Sequence, residues 1–384
     1  MVIISLFFLY HLFFFMLGLT IERGHAVSSA PARTRFAVIM PSHNEEKVIR
    51  SSVQSMLGCR YPGKLLDVYV IADNCSDGTA KEALDAGARV MERFDDFKRG
   101  KQYALEWAFK TIDLNQYDAV CVFDADNQVH PDYFQEINAL FQQGHRVIQG
   151  YVGTKNPDDS WVSANYAYMF WYLCRMQMSR NLLKLSTWLA GTGYCISTVV
   201  LKKVGWNVHT LCDDMEYTAQ LIIAGERVTF APDAVFYDEK PVTLTDSLRQ
   251  RVRWLRGQTQ VTLRYVPQLL LMIVTSWWQG NIGAAARAFD GIMWIPMHLV
   301  VAYSIVHTLL NSGALNLITI LLSVPCLMML PMLAESIRSL RSWKYLPTAG
   351  LFYFTWLPLM FYGVITCGNK KWWRTPHGVL NGEN

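Results

Sequence analysis

Met1–Ile21 is an uncharged, largely apolar run, and no other feature of the chain restricts its architecture as strongly. Crossing a bilayer takes about 20 apolar residues, so this run is long enough. A charged middle follows, with charges common between Arg33 and Arg264 and scarce outside those limits. Over 384 residues the chain is 52% hydrophobic and 17% charged, against about 25% charged in ordinary soluble domains. The distribution reads as a soluble domain framed by membrane segments. Gly291–Leu310, Ala314–Leu333 and Leu346–Cys367 are three further candidate spans, the last interrupted by Pro347 and Pro358.

A cleaved leader is the alternative for Met1–Ile21, and Ala30-Pro31-Ala32 resembles a cleavage site. No positive region precedes the run, however, and it is too long for a usual leader core. A retained anchor is expected, with Arg23, Arg33 and Arg35 at its cytosolic end. By the same rule, uncharged Asn311–Gly313 suits an outer turn. Arg338, Arg341 and Lys344 suit an inner loop, while Lys370, Lys371 and Arg374 conflict with the parity of the spans. Val266–Trp278 is too short to span. With the preceding cluster Arg249, Arg251, Arg253, Arg256 and Arg264 it is expected to lie in the interface plane.

A net charge of +4 is too small to argue for nucleic acid as a partner. The eight cysteines are scattered without metal-ligand spacing, which reads as reduced thiols rather than a disulfide framework.

The charged middle alternates short apolar runs with helical patterns. Phe36–Met40, Asp67–Ala72, Ala88–Glu92 and Ala119–Phe123 read as strands, and Glu45–Leu57, Gly78–Ala86 and Lys101–Thr111 as helices. This order predicts an α/β domain with a mostly parallel sheet. Ligands in such sheets bind beyond the carboxyl ends of the strands. Three strand ends are rich in polar residues: Pro41-Ser42-His43-Asn44-Glu45-Glu46, Asp73–Thr79 and Asp124-Ala125-Asp126-Asn127. So much negative charge on one rim calls for a divalent cation. Hard carboxylate oxygens from Asp124 and Asp126 with substrate phosphates would suit Mg²⁺ or Mn²⁺. By itself, a D-x-D after a strand is equally an ordinary turn.

Asp213 and Asp214 open a further helix. Acids there often serve only the helix dipole. Two adjacent carboxylates can also raise one another's pKa, which suits a general base. Within the helical stretch Ser247–Gln260, Gln250, Arg253 and Trp254 share a face. A guanidinium can grip a diphosphate and an indole can stack on a sugar; a solvated interfacial helix is the plainer reading. Gly191-Thr192-Gly193 permits close backbone approach to a ligand but reads equally as a turn. Gly100-Lys101 opens a helix, where a phosphate can sit.

The ordered set Pro41…Asn44-Glu45, Asp73, Gly100-Lys101, Asp124-x-Asp126, Gly191-Thr192-Gly193, Asp213-Asp214 and Gln250-x-x-Arg253-Trp254 resembles the family 2 inverting glycosyltransferases of GT-A (Rossmann-like) fold. More narrowly it is similar to the membrane branch that holds cellulose synthase, chitin-oligosaccharide synthase and hyaluronan synthase. The resemblance covers roughly residues 36–265 and the flanking helices. It implies a UDP-sugar donor held by Pro41, Asn44, Glu45, Asp73, Lys101 and Asp124, with the metal on Asp126 beside Asp124. It implies Asp214 as catalytic base, and Gly191, Thr192, Gly193, Asp213, Gln250, Arg253 and Trp254 at the acceptor and diphosphate. The expected product is a β-linked polysaccharide or oligosaccharide, or a membrane lipid or polyprenyl phosphate bearing a single sugar. Cys212-Asp213 stands where the family has Thr-Glu, and the membrane part is small for a processive synthase.

The implied layout is an N-terminal span over 1–22, a cytosolic GT-A catalytic domain over 34–245 and interfacial helices over 246–285. C-terminal spans over 289–368 and a polar tail over 369–384 complete it. The chain is expected to be a multi-pass protein of the plasma (inner) membrane. A nucleotide-binding scaffold without activity and a transporter are the readings from other classes.

Overall fold

A computed structural model describes residues 2–24, 27–335 and 343–369. The core of the α/β half is built from the expected alternation. β1 (Phe36–Ser42), β2 (Leu66–Asp73), β3 (Arg89–Arg93) and β4 (Ala119–Val122) pair in parallel in the order β3-β2-β1-β4. Between them run α2 (Ile49–Leu57), α3 (Thr79–Asp85) and α4 (Lys101–Thr111). The central strands β1 and β4 are apolar on both faces because helices cover both: β4 is buried at every position, whereas the edge strand β3 exposes Arg89 and Glu92.

The sheet then departs from the mostly parallel expectation. β5 (Gln128–Val129), β6 (Val147–Thr154), β7 (Tyr194–Ser197) and β8 (Val228–Asp238) extend it to β3-β2-β1-β4-β7-β6-β8-β5. β7 runs antiparallel to both β4 and β6, and β5 antiparallel to β8, while β6 and β8 are parallel. α5 (Tyr133–Gln142) packs on β8, and α6 (Trp161–Leu182) contacts β6 and β8. α7 (Thr198–Val204) and α8 (Asp213–Ile223) complete this half.

The flanking helices differ from the expected layout in three respects. The arginine-rich stretch and Val266–Trp278 form one 35-residue helix, α9 (Leu244–Trp278), with Pro267 inside it. The expected span Gly291–Leu310 is divided at Ile295–Pro296, because proline cannot donate the next helical hydrogen bond. α10 (Ile282–Trp294) ends there, and the chain resumes at a 48° bend. α11 (Met297–Ala334) then continues through Asn311–Gly313, so the outer turn expected there is helical. A single glycine costs a helix only about 1 kcal/mol, and the aliphatic residues on either side outweigh it. α12 (Ala349–Phe354) and α13 (Trp356–Ile365) follow. Among the described residues Leu346–Ile365 is the one helical stretch long and apolar enough to cross a membrane, and the bent α10–α11 pair makes a second if it counts as one span. α1 (Val2–Thr20) is apolar but shorter by that measure. Arg338, Arg341, Lys370, Lys371 and Arg374 lie outside the described residues.

Two buried ion-pair clusters fasten these helices to the α/β half. Arg180 of α6 meets Asp290 of α10 at 3.0 Å, and Tyr10 of α1 donates to the same carboxylate at 2.7 Å. Arg175 of α6 and Arg23 both bind Glu335, at 2.6 and 3.0 Å. Partnered charges are the form in which buried ionic groups are tolerated. A Cβ on Gly18 would stand 2.2 Å from the Arg175 carbonyl oxygen, so glycine lets α1 lie directly on α6.

Candidate active site

The loops after β1 and β2 are built against each other. Asn44 and Asn74 both adopt positive φ, 57° and 52°, a conformation asparagine tolerates better than most residues. The Asn44 side-chain oxygen accepts from Ser76 N at 2.8 Å, and Glu45 N donates to Thr79 Oγ1 at 2.7 Å. His43 Nδ1 lies 2.7 Å from the Asp73 carbonyl oxygen, and Arg93 pairs with the Asp73 carboxylate. Burial pushes Asp73 upward, and the Arg93 contact opposes that shift.

β4 ends at Val122, and the chain turns at Asp124-Ala125-Asp126-Asn127. Asp124 N donates to Thr192 Oγ1 at 2.9 Å and to Asn127 Oδ1 at 3.2 Å. Asn127 donates in turn to Asp126 Oδ1 at 3.3 Å and Asp238 Oδ1 at 3.1 Å. Glu239 N donates to Asp126 Oδ2 at 3.1 Å. The turn is therefore held at the Asp124 backbone by Thr192, two residues before β7, and at the Asp126 carboxylate by Asn127 and the Glu239 amide just after β8. Lys101, at the start of α4, pairs with Asp124 Oδ1 and donates to the Gly191 carbonyl oxygen at 2.6 Å. Lys101 on Asp124 and Arg93 on Asp73 relieve part of the negative charge of this rim from within the chain.

Gly191 and Gly193 both have positive φ, 82° and 60°. A Cβ on Gly191 would lie 3.4 Å from Asp214 Oδ2, which places this turn against the opening of α8. Asp213 and Asp214 are the first two residues of α8, and Met215 N donates to Asp214 Oδ1 at 2.8 Å. Burial and the neighbouring Asp213 push the Asp214 carboxyl up to about 7, against the opposing pull of the Met215 amide, Lys101 and Arg253. Burial and Asp124 raise Asp213, while Lys101 and Arg253 oppose. Burial disfavours the Lys101 ammonium, yet Asp124, Asp213 and Asp214 together hold its pKa above the ordinary lysine value.

α9 crosses this opening closely: a Cβ on Gly257 would lie 2.5 Å from Cys212 N. Cys212 Sγ donates to the Trp254 carbonyl oxygen at 3.2 Å, and Gln260 Oε1 accepts from Leu211 N at 3.1 Å. Gln250, Arg253 and Trp254 consequently face one cavity of about 1500 Å³. Arg251 points the other way, into Phe352 and Trp356, and ties α9 to α12 and α13.

Every residue singled out from the sequence as a site candidate lines that cavity except Asn44 and Gly193. Asn44 spends its side chain on the neighbouring loop, and a Cβ on Gly193 would lie 2.0 Å from the Phe236 ring, making it a packing glycine. Residues the sequence reading passed over also hold the site. Gln149 Nε2 donates to the Thr192 and Gly193 carbonyl oxygens, both at 3.0 Å, and Gln149 Oε1 accepts from Ala190 N at 2.8 Å. Lys155 donates to the Asp126 carbonyl oxygen at 2.9 Å. Asp238 and Lys240 sit at the end of β8 and line the cavity too, so the strand-end rule applied to β8 would have found them.

The oxygens of Asp124 and Asp126 are a donor set that suits Mg²⁺ or Mn²⁺. Among the described residues no group of three carboxylate, imidazole or thiolate side chains is arranged to hold a metal. An ion here would draw its remaining ligands from phosphate and water.

A family profile described as "Glycosyltransferase like family 2" matches residues 31–257. The chain is 28% identical over 279 residues to Beta-monoglucosyldiacylglycerol synthase of Trichormus variabilis, covering 65% of this chain and 57% of that protein. It is 22% identical to an N-acetylglucosaminyltransferase of Rhizobium meliloti, covering 91% and 84%. The chain thus spans little more than half the length of curated relatives such as the synthase. Among solved structures, the mannosyltransferase PcManGT of Pyrobaculum calidifontis, in complex with GDP-Man and Mn²⁺, aligns with a TM-score of 0.56 at 17% identity, over 96% of this chain and 97% of that one. That likeness concerns the fold.

Proposed function

The chain belongs to glycosyltransferase family 2, and on that premise we propose that it transfers a hexose from a UDP-sugar to an acceptor hydroxyl at a membrane surface, with inversion. The observation that carries this reading is the shared cavity: the acidic turn Asp124–Asp126 and the Asp213–Asp214 pair open into the same space, with Lys101 between them.

Asp73, beside Pro41 and Glu45, faces the nucleoside end of the donor. Lys101 and Arg253 present cations to its diphosphate, and Trp254 borders the sugar and acceptor. Asp214 takes the proton of the acceptor hydroxyl. A carboxyl with a pKa near 7 is ionised enough at neutral pH to act and basic enough to pull. The hydroxyl oxygen attacks the anomeric carbon from the face opposite the diphosphate. The carbon–oxygen bond to UDP breaks, its electron pair stays with the β-phosphate, and a β-linkage results from an α-linked donor. Mg²⁺ or Mn²⁺ held by Asp126 and Asp124 would neutralise charge on the leaving diphosphate. The name of the Trichormus variabilis relative supports a lipid acceptor, and that of the Rhizobium meliloti relative supports N-acetylglucosamine as a transferred sugar. The membrane reading rests on Leu346–Ile365 together with the apolar α1, with residues 34–245 as the cytosolic catalytic unit and the plasma membrane as its site.

Purified protein incubated with UDP-glucose, UDP-galactose, UDP-N-acetylglucosamine and UDP-glucuronate tests the proposal. One donor should release UDP in an acceptor-dependent, Mg²⁺- or Mn²⁺-dependent manner. Release from none of them with any acceptor would refute it.

A further inference from the structure

The cavity continues beyond the base. Toward the flanking helices its lobe is walled by Phe7, Val301, Ile305, Leu327, Leu357 and Met360, supplied by α1, α11 and α13. A pocket for one small ligand holds roughly 300–1,000 Å³, and this space of about 1500 Å³ exceeds that. It has room for a second ligand beside the donor. No carboxylate, ammonium or guanidinium reaches the lobe from α1, α10, α11, α12 or α13 among the described residues; their polar contribution is three histidines, Ser304 and Thr308 besides aromatic side chains.

That lining discriminates between acceptors. Each hydroxyl of a glycan leaving water needs a new partner, at a cost when it finds none. A wall of Val, Ile, Leu, Met and Phe offers few partners, whereas a hydrocarbon chain requires none. The cavity wall retains some polar capacity. His11 and His298 line the cavity and are more than nine-tenths buried, and the Nδ1 atom of each has no hydrogen-bond partner. Their Nε2 atoms are committed, to the Met293 carbonyl oxygen at 3.1 Å and Thr259 Oγ1 at 3.0 Å. With Nε2 carrying the ring hydrogen, each Nδ1 presents a lone pair, which fits the hydroxyl of an uncharged headgroup. Charge separates the remaining lipid classes. A lipid phosphate is already ionised and needs no general base, and Asp213 and Asp214 would repel it. A lipid alcohol needs its proton removed, and Asp214 stands there to take it.

We propose that the acceptor is an uncharged lipid alcohol, its hydroxyl at Asp214 and its hydrocarbon chains in the lobe between α1, α11 and α13. This deepens the transfer reaction above and rests on it. The alcohol oxygen bonds to the anomeric carbon, its proton passes to Asp214, the bond to UDP breaks, and the products are a β-glycosyl lipid and UDP.

The test uses the full chain in nanodiscs with the four UDP-sugars and three acceptors: diacylglycerol, a polyprenyl phosphate and a soluble cello- or chito-oligosaccharide. UDP release and product mass are both measured. Diacylglycerol should stimulate release at least tenfold and yield an organic-soluble glycolipid of one added mass. A glycosylated polyprenyl phosphate, or an extended oligosaccharide, would overturn the lipid-alcohol acceptor while leaving the transferase reading intact. Silence in every arm would overturn both. Val301→Trp narrows the lobe and should lower kcat/KM for dioleoylglycerol about tenfold relative to dioctanoylglycerol. Ile305→Ala widens it and should move the ratio toward the longer chain. An unchanged chain-length ratio in both folded variants would refute the lobe as the chain site.

Discussion

Asp214→Asn separates the chemistry of this site from its stability, with opposite expected signs. The Asp214 carboxyl is pushed from 3.8 up to about 7, first by burial and then by Asp213. Its folded pKa thus lies above its unfolded one, so between those values the folded state binds a proton that the unfolded state has released. Stability then falls as pH rises through this window, is least affected below pH 4 and bears the full cost above pH 7. One pKa unit corresponds to 1.36 kcal/mol, so the shift has a ceiling of about 4 kcal/mol. The carboxyl is only partly buried and titrates with Asp213, which brings the expected gain on neutralisation to about 1–2 kcal/mol. For a domain of this size that is a rise in Tm of roughly 2–8 °C. Melting of wild type and variant should show this rise at pH 8, shrinking to less than half by pH 5. The variant should also bind UDP and transfer nothing, while wild-type kcat/KM should fall about tenfold per pH unit below 7. A gain of equal size at pH 5 and pH 8, or a loss at pH 8, would refute the raised pKa. Transfer close to that of wild type would refute the base.

Asp126→Ala should abolish metal-dependent UDP binding, read by calorimetry with and without Mn²⁺, and leave the melting temperature within a few degrees. Lys101→Met removes the ammonium that opposes protonation of Asp213 and Asp214. The acid limb of kcat/KM should therefore move up by about one pH unit, whereas a purely structural loss would lower the profile without moving the limb. Gly193→Ala must hold φ near 60° and displace the Phe236 ring, and strain plus overpacking should cost about 2–4 kcal/mol in denaturant unfolding.

The parallel half of the sheet was legible because β1, β2 and β4 are apolar on both faces and end abruptly in polar residues. α4 was predicted at the residues it occupies, Lys101–Thr111, since Gly100 with φ 118° starts it cleanly. β6 and β8 resisted the same reading for a tertiary reason. β6 contains Gly150 and Gly153, and a Cβ at either would lie 2.8 Å from a tyrosine ring, of Tyr133 and Tyr237 respectively. Those glycines answer to side chains from other elements, so nothing local marks a strand. β8 contains Pro232, which ordinarily argues against a strand. Here the register jumps from Ala231 to Val235, and the proline leaves the ladder in the bulge between them. Among the flanking helices, hydropathy found the apolar stretches but misplaced their ends, because Pro296 breaks a helix and Asn311–Gly313 does not.

In the site, strand ends revealed Asp124 and Asp126, but not what holds them. Asp238, Lys155 and Gln149 reach the acidic turn and the glycine turn from β8, β6 and the segment that follows β6, through pairings of long sequence separation. Internal cations were equally out of reach of the sequence: Arg93 pairs with Asp73, Lys101 with Asp124 and Lys240 with Asp238. That distribution leaves the two acids of α8 facing Lys101 and Arg253 without a dedicated partner for either. A helix N-terminus by itself favours an ionised carboxylate. At Asp214 that preference, the Met215 amide and two nearby cations are together outweighed by burial under α9 and by the charge of Asp213. α9 lies directly on the opening of α8, with Gly257 against Cys212, and under the proposed mechanism that packing is the source of the burial that raises Asp214. Gly257→Ala should shift α9 outward, hydrate Asp214 and carry the acid limb of kcat/KM toward the ordinary carboxylate range; an acid limb still near pH 7 in a folded variant would show that burial by α9 is not the cause.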